Sequence, residues 1–184
     1  MATNTFVEAD IWTVAQTDQG NVVLVRPKGS ELAVPIFIGQ LETQSILIGL
    51  GRVEVPRPLT HDLFLSTIKA LGADLTRIEI NDLREGTFYA RLILARGAET
   101  LTVDARPSDA VAAAVRAGCP VYIAEAIVEE AGISVNLVSE SARLEATGSE
   151  DEKERLRKEL EEAISEEDYE RAARIRDKLK DLEG

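Results

Sequence analysis

The chain has 184 residues, 45% of them hydrophobic, and a formal net charge of −12. No stretch approaches the ~20 apolar residues of a membrane span. The acidic balance argues against a broad electrostatic grip on nucleic acid, which rests on Lys and Arg at phosphates, but leaves room for a local basic cleft or a metal-bridged phosphate. The single cysteine, Cys119, permits neither an internal disulfide nor a thiolate metal cluster. It precedes Pro120 in an apolar setting and reads as a packed thiol. Met1-Ala-Thr-Asn-Thr carries no basic flank and no apolar h-region, so the expected compartment is the cytoplasm.

Phe6 to Val14 alternates, with Val7, Ala9 and Ile11 on one face and Glu8, Asp10 and Trp12 on the other, as a strand does. Turns at Asp18–Asn21 and Pro27–Ser30 separate two further strands, Val22–Val25 and Leu32–Ile38. Pro35 places the last at an edge or a bulge. These make an antiparallel meander. From Gln40 the period changes: Leu41, Ser45 and Ile48, with Ile46 and Leu47, fit a helix ending near Gly49 or Gly51. After a loop stiffened by Pro56 and Pro58, Thr60 reads as the N-cap of a helix through Phe64, Ile68 and Leu71, closed by Gly72. His61 and Asp62 fall in its first turn.

Leu75–Leu83 reads as a strand with Ile78, Ile80 and Asp82 on one face, and Arg84-Glu85-Gly86 as a hairpin turn. Thr87–Ala95 returns with Phe88, Ala90, Leu92 and Leu94 on one face, and Gly97 leads into Leu101–Val103. The stretch that follows, Asp104-Ala-Arg106-Pro107-Ser108-Asp109, is a polar turn opening a helix. Pro107 suits the first helical position and Gly118 the end. Asp109 and Ser108 fit capping roles. Arg106 does not, and needs an anion opposite: Asp104, Asp62 or a ligand phosphate. Val121–Ile123 is a short strand, Glu125–Ala131 a short helix, and Ile133–Val138 an ambiguous extended run.

Residues 145–150 lose apolar periodicity and read as a linker. Beyond them lies a charged helical hairpin. Leu156, Leu160, Ala163 and Ile164 stripe its first helix, and Ala172, Ile175, Leu179 and Leu182 its second, capped by Ser165 with Asp168. So few apolar groups cannot hold a core alone, so the stripes call for a second copy or a partner.

Three motifs then carry a resemblance. Pro56-Arg57-Pro58-Leu59-Thr60-His61-Asp62-Leu63, Asp82-Leu83-Arg84-Glu85-Gly86-Thr87-Phe88-Tyr89-Ala90 and Val103-Asp104-Ala105-Arg106-Pro107-Ser108-Asp109-Ala110 resemble the bifunctional nuclease domain family, over Phe6 to Ser139. Leu160–Asp177 resembles the UVR motif, the interaction hairpin shared by the B and C subunits of the bacterial UV-damage excision nuclease. The resemblance implies an α+β fold, a mostly antiparallel sheet rolled around helices, and cleavage of DNA and RNA. The domain boundaries are 1–140 for the nuclease-like domain, 141–150 for the linker and 151–184 for the hairpin.

Phosphodiester hydrolysis needs an activated water, charge stabilisation and a proton for the leaving oxygen, and a carboxylate-bound metal supplies the first two. The acids inside the motifs are Asp62, Asp82, Asp104 and Asp109, with His61 the sole imidazole. These five are the candidate catalytic residues. Arg57, Arg106 and Ser108 are the candidate substrate-binding residues. Asp82, Asp104 and Asp109 are the candidate ligands for a divalent metal, Mg or Mn. Arg57, His61, Asp82, Asp104, Arg106 and Asp109 are expected to meet in one cleft. The expected partners are DNA or RNA as substrate and a protein, or a second copy in a homo-oligomer, through the hairpin. The rival reading is a non-catalytic adaptor in which the domain binds a small anion and Asp82 or Arg106 merely pairs with neighbouring charge.

Overall fold

The computed structural model describes residues 5–17, 19–136, 156–160 and 168–181. The chain divides into two units, Met1–Val135 and Asn136–Gly184. The first is α+β. Its elements run β1 (Phe6–Thr17), β2 (Gly20–Pro27), β3 (Leu32–Ile38), α1 (Gln40–Leu50), α2 (Thr60–Ala70), β4 (Asp74–Arg84), β5 (Thr87–Arg96), β6 (Glu99–Ala105), α3 (Pro107–Ala117), β7 (Val121–Ala124), α4 (Glu125–Ala131) and β8 (Ile133–Ser134).

The strands form one sheet in the order β6-β5-β4-β7-β1-β2-β3-β8. The meander and the β4–β5–β6 hairpins pair antiparallel. They are joined through β7, parallel to β4 and antiparallel to β1. Parallel pairing needs a long crossover, and α3, spanning the gap between β6 and β7, supplies one. The β4–β5 turn has two residues, and Glu85 (φ +49) and Gly86 (φ +75) both adopt the left-handed conformation that a tight hairpin needs.

Ile78 and Ile80 of β4 and Ala90, Leu92 and Leu94 of β5 form the core face, packed with the Ala-rich α3. Pro107, Ser108 and Ala110 to Ala114 are all buried. Small side chains let this helix lie close to the sheet, and a close fit maximises dispersion contacts. α1 crosses α3 at Gly49, where an added Cβ would stand 2.5 Å from Val115 Cγ2. That close approach fixes α1 against α3. Gly118, at φ +66, ends α3 as a left-handed cap.

Two expectations change here. The α2 N-cap is Leu59 rather than Thr60, and its backbone N–H donates to Asp62 Oδ2 at 2.9 Å. The carboxylate three residues on satisfies an orphan donor, so no hydroxyl cap is required. In β4 the register shifts between Ile80 and Asp82, so Ile80 opposes Ala90 while Asp82 opposes Tyr89. The bulge at Asn81 breaks the alternation and turns Asp82 to the sheet face opposite Ile78 and Ile80.

In the second unit, residues 156–160 are helical, as is Tyr169–Asp181. Leu156 and Ile175 are buried together, with Leu160 against them. Asp168 caps the second helix, accepting the Arg171 N–H at 3.0 Å. Ser165, Ala163, Ile164, Leu182 and the linker 141–150 lie outside the described residues.

Candidate active site

Three helix ends converge on one pocket. α1 contributes Leu41, Glu42, Gln44, Ser45 and Ile48. The loop into α2 contributes Pro58, Leu59, Thr60 and His61, and the start of α3 contributes Arg106 and Asp109. The pocket is open and measures about 640 Å³. A second hollow of about 330 Å³, lined by Gly39, Gly86, Phe88 and Ser108 among others, shares Glu42 and Arg106 with it.

Arg106 precedes the first helical position of α3, in extended backbone. This aims its side chain across the helix end. Its Nε donates to Asp109 Oδ2 at 2.7 Å and its Nη2 to Asp109 Oδ1 at 3.2 Å. Its Nη1 donates to Glu42 Oε1 at 3.1 Å. The two carboxylates, Asp109 first and then Glu42, raise the guanidinium pKa further above its ordinary value. A guanidinium carries five N–H donors, so the terminal nitrogens keep donors free on a side chain that is 66% exposed.

His61 enters the pocket from the first turn of α2. Its Nδ1 lies 3.0 Å from Ser45 Oγ. Its Nε2 lies 3.4 Å from Asp109 Oδ1. The imidazole thus bridges a hydroxyl and a carboxylate, with the ring largely buried and its two neighbours half-buried. A carboxylate facing Nε2 favours the proton there and leaves the Nδ1 lone pair toward Ser45. Glu42 and Ser45 are one helical turn apart and share a face. The helical stripe through Leu41, Ser45 and Ile48 absorbed Ser45, and nothing local set Glu42 apart from the polar Gln40, Thr43 and Gln44 beside it.

Of the expected cluster, His61, Arg106 and Asp109 come together. Asp62 stands one residue away but faces the other side, where its Oδ1 accepts Arg116 Nε at 3.0 Å. With Arg116 it lines a separate hollow of about 720 Å³. Ser108 is buried in the first turn of α3 and lines the smaller hollow. Arg57 is exposed on the α1–α2 loop and forms no hydrogen bond or ion pair among the described residues. Asp82 accepts the Leu83 N–H at 2.9 Å and Arg84 Nε at 2.7 Å at the hairpin. Arg84 also lies 5.1 Å from the Tyr89 ring centroid. Asp104 is exposed on β6, opposite Arg91 in register. Arg106 therefore pairs with Asp109 and Glu42 rather than with Asp104 or Asp62, and neither Ser108 nor Asp109 caps α3 with its side chain.

The three carboxylates named as candidate metal ligands do not come together. Asp82 and Asp104 lie on the sheet face turned away from the helices, whereas Asp109 belongs to the helix-end pocket. Among the described residues no three His, Cys, Asp or Glu side chains gather as a metal centre requires. The bulge at Asn81 is the physical cause for Asp82, and strand alternation places Asp104 with Arg91.

The architecture is thus an α+β domain with a polar pocket where three helix ends meet beside a mostly antiparallel sheet. Residues 22–136 match the Bifunctional nuclease domain, and residues 150–184 match the UvrB/uvrC motif. The chain belongs to the bifunctional nuclease domain family. It is 43% identical over 158 residues to an uncharacterized protein of Mycobacterium tuberculosis, covering 85% of this chain and 92% of that one. It is 27% identical over 117 residues to Bifunctional nuclease 1 of Oryza sativa subsp. indica, covering 62% of this chain and 35% of the rice protein. Against Bifunctional nuclease 1 of Arabidopsis thaliana it is 25% identical over 177 residues, covering 86% of this chain and 54% of that protein. No helix among the described residues is long and apolar enough to cross a membrane.

Proposed function

We propose that this protein hydrolyses phosphodiester bonds in RNA and in single-stranded or nicked DNA, and that the pocket holding His61 is where it does so. The observation that carries the reading is the placement of the chain's one imidazole between Ser45 and Asp109 beside Arg106. A phosphodiester needs a cation at its non-bridging oxygens and a group that moves a proton to the leaving oxygen. Arg106 is the cation, held in place by Asp109 and Glu42 and still carrying unused donors. His61 is the proton carrier, and Asp109 beside its Nε2 orients it. Leu41, Pro58 and Leu59 give the pocket an apolar wall for a sugar or base. Binding through one local arginine also suits a chain of net charge −12.

The test is cleavage of a single-stranded oligonucleotide and an RNA, each with and without chelator, by wild type and His61→Gln. Cleavage by wild type, reduced at least 100-fold in the variant, is expected. No cleavage by wild type overturns the reading and leaves the adaptor role. The UVR-like hairpin is assigned to association with a protein or a second copy. Deleting residues 148–184 is expected to lower the assembly mass or lose a bound partner while cleavage by the first unit persists.

A further inference from the structure

Ser45 spends its hydroxyl in an unusual way for these helices. Thr43, Ser66 and Thr67 each bond back to the carbonyl four residues earlier, at 2.9, 2.7 and 2.8 Å. That is the default for a hydroxyl inside a helix. Ser45 instead meets His61 Nδ1 at 3.0 Å across 16 residues of sequence. On the far side of the same ring stands Asp109. A hydroxyl, an imidazole and a carboxylate in this order form an activated-nucleophile relay, and such relays are recognised by geometry rather than by sequence order.

We infer that Ser45 is the nucleophile, and that cleavage passes through a covalent phosphoseryl intermediate. This rests on the pocket being the nuclease site. The number of proton carriers favours it. One-step hydrolysis wants a base for water and an acid for the leaving oxygen at the same moment. The chain has a single histidine, and the pocket carboxylates Asp109 and Glu42 are both engaged by Arg106. A two-step route lets one imidazole do both jobs in turn.

In the first step Ser45 Oγ attacks phosphorus and its proton moves to His61 Nδ1. The bond from phosphorus to the leaving nucleoside oxygen breaks, and that oxygen takes the proton from His61. In the second step a water gives a proton to His61 and its oxygen attacks the Ser45 phosphodiester. Oγ leaves and recovers the proton. One water is consumed per bond cleaved and the side chains return to their starting state. Arg106 faces the non-bridging oxygens throughout.

The test uses the full chain and a fluorophosphonate, with which Ser45 Oγ would form a bond to phosphorus as fluoride leaves. Peptide mass mapping should find the adduct on Ser45, formed at least tenfold more slowly in His61→Gln of native circular dichroism. Ser45→Ala should cleave RNA at least 100-fold more slowly than wild type. No adduct on Ser45, under conditions that label a known serine hydrolase, overturns the inference. An adduct that forms equally fast in His61→Gln does so too. Ser45→Ala cleaving within threefold of wild type overturns it and leaves the nuclease reading intact. Labelled Ser45 in a protein that cleaves neither RNA nor DNA upholds the nucleophile and sinks the nuclease reading.

Discussion

Arg116 and Asp62, in the last turn of α3 and the first turn of α2, share a hydrogen bond of 3.0 Å from Nε to Oδ1. The arginine side chain is only 7% exposed and also donates to the Ala112 carbonyl at 2.8 Å. Asp62 meanwhile accepts the Leu59 N–H. One carboxylate therefore ties the start of α2 to the end of α3, and His61 is its chain neighbour.

Asp62→Ala leaves that buried guanidinium without its anion and the α2 start without its acceptor. We expect a loss of about 2–4 kcal/mol of stability, the range for stranding a buried charge when the lost partner was partly solvated. Thermal denaturation should show a Tm lower by roughly 5–15 °C. Cleavage should fall as well, because the helix turn carrying His61 is released. A Tm within 2 °C of wild type would show that the tie does not hold α2.

Asp82→Asn and Asp104→Asn sit on the sheet face away from the pocket. Each should retain cleavage within about twofold of wild type, whereas Asp109→Asn should lose about 10²–10⁴-fold, the scale of a misoriented general base. Initial rates on one RNA substrate decide the matter. A large loss in either sheet-face variant would move the chemistry out of the helix-end pocket.

Glu79 is the buried acid of the sheet, 4% exposed. It accepts Arg77 Nε at 2.7 Å and Arg91 Nε at 2.6 Å. Burial pushes its carboxyl up, but the two guanidiniums together outweigh burial and hold it below the ordinary carboxylate range. A depressed folded value means the group contributes stability above its unfolded pKa, near 4.3, and loses that contribution as pH falls through the folded value. Glu79→Gln should cost about 1–3 kcal/mol at pH 7, and the gap to wild type should close as pH drops from 6 toward 3. Urea unfolding at a series of pH values reads this directly. A gap independent of pH would contradict it.

Cys119 follows α3 and is partly buried, and burial pushes its thiol up to about 11. At pH 8 roughly one molecule in a thousand carries the thiolate that reacts. A disulfide reagent should modify the folded protein at least 100-fold more slowly than the unfolded chain, with the folded rate climbing as pH rises toward 11. Equal rates in the two states would place the thiol in open solvent.

The α+β class, nearly every element and the family motifs were legible in the sequence, because alternation, helical period and turn residues act over a few positions. The Arg84-Glu85-Gly86 hairpin and the Gly118 helix end are of this local kind. The identity of the acids that meet Arg106 was not. Alternation put Asp82 on the core face, and a one-residue bulge at Asn81 reversed it. Ser45 read as part of a helical stripe and Glu42 went unmarked, because nothing local says which face of α1 meets α3.

The amino-acid order by itself determined that the chain has one imidazole, at the start of a helix, and that Arg57, Arg106 and four aspartates share the family motifs with it. Which hydroxyl and which carboxylates surround His61 and Arg106 was decided only by packing. Gly49 lets α1 cross close to α3, and the Ala-rich face of α3 seats it on the sheet. Those contacts join residues from 42 to 109, a separation over which no local pattern carries information.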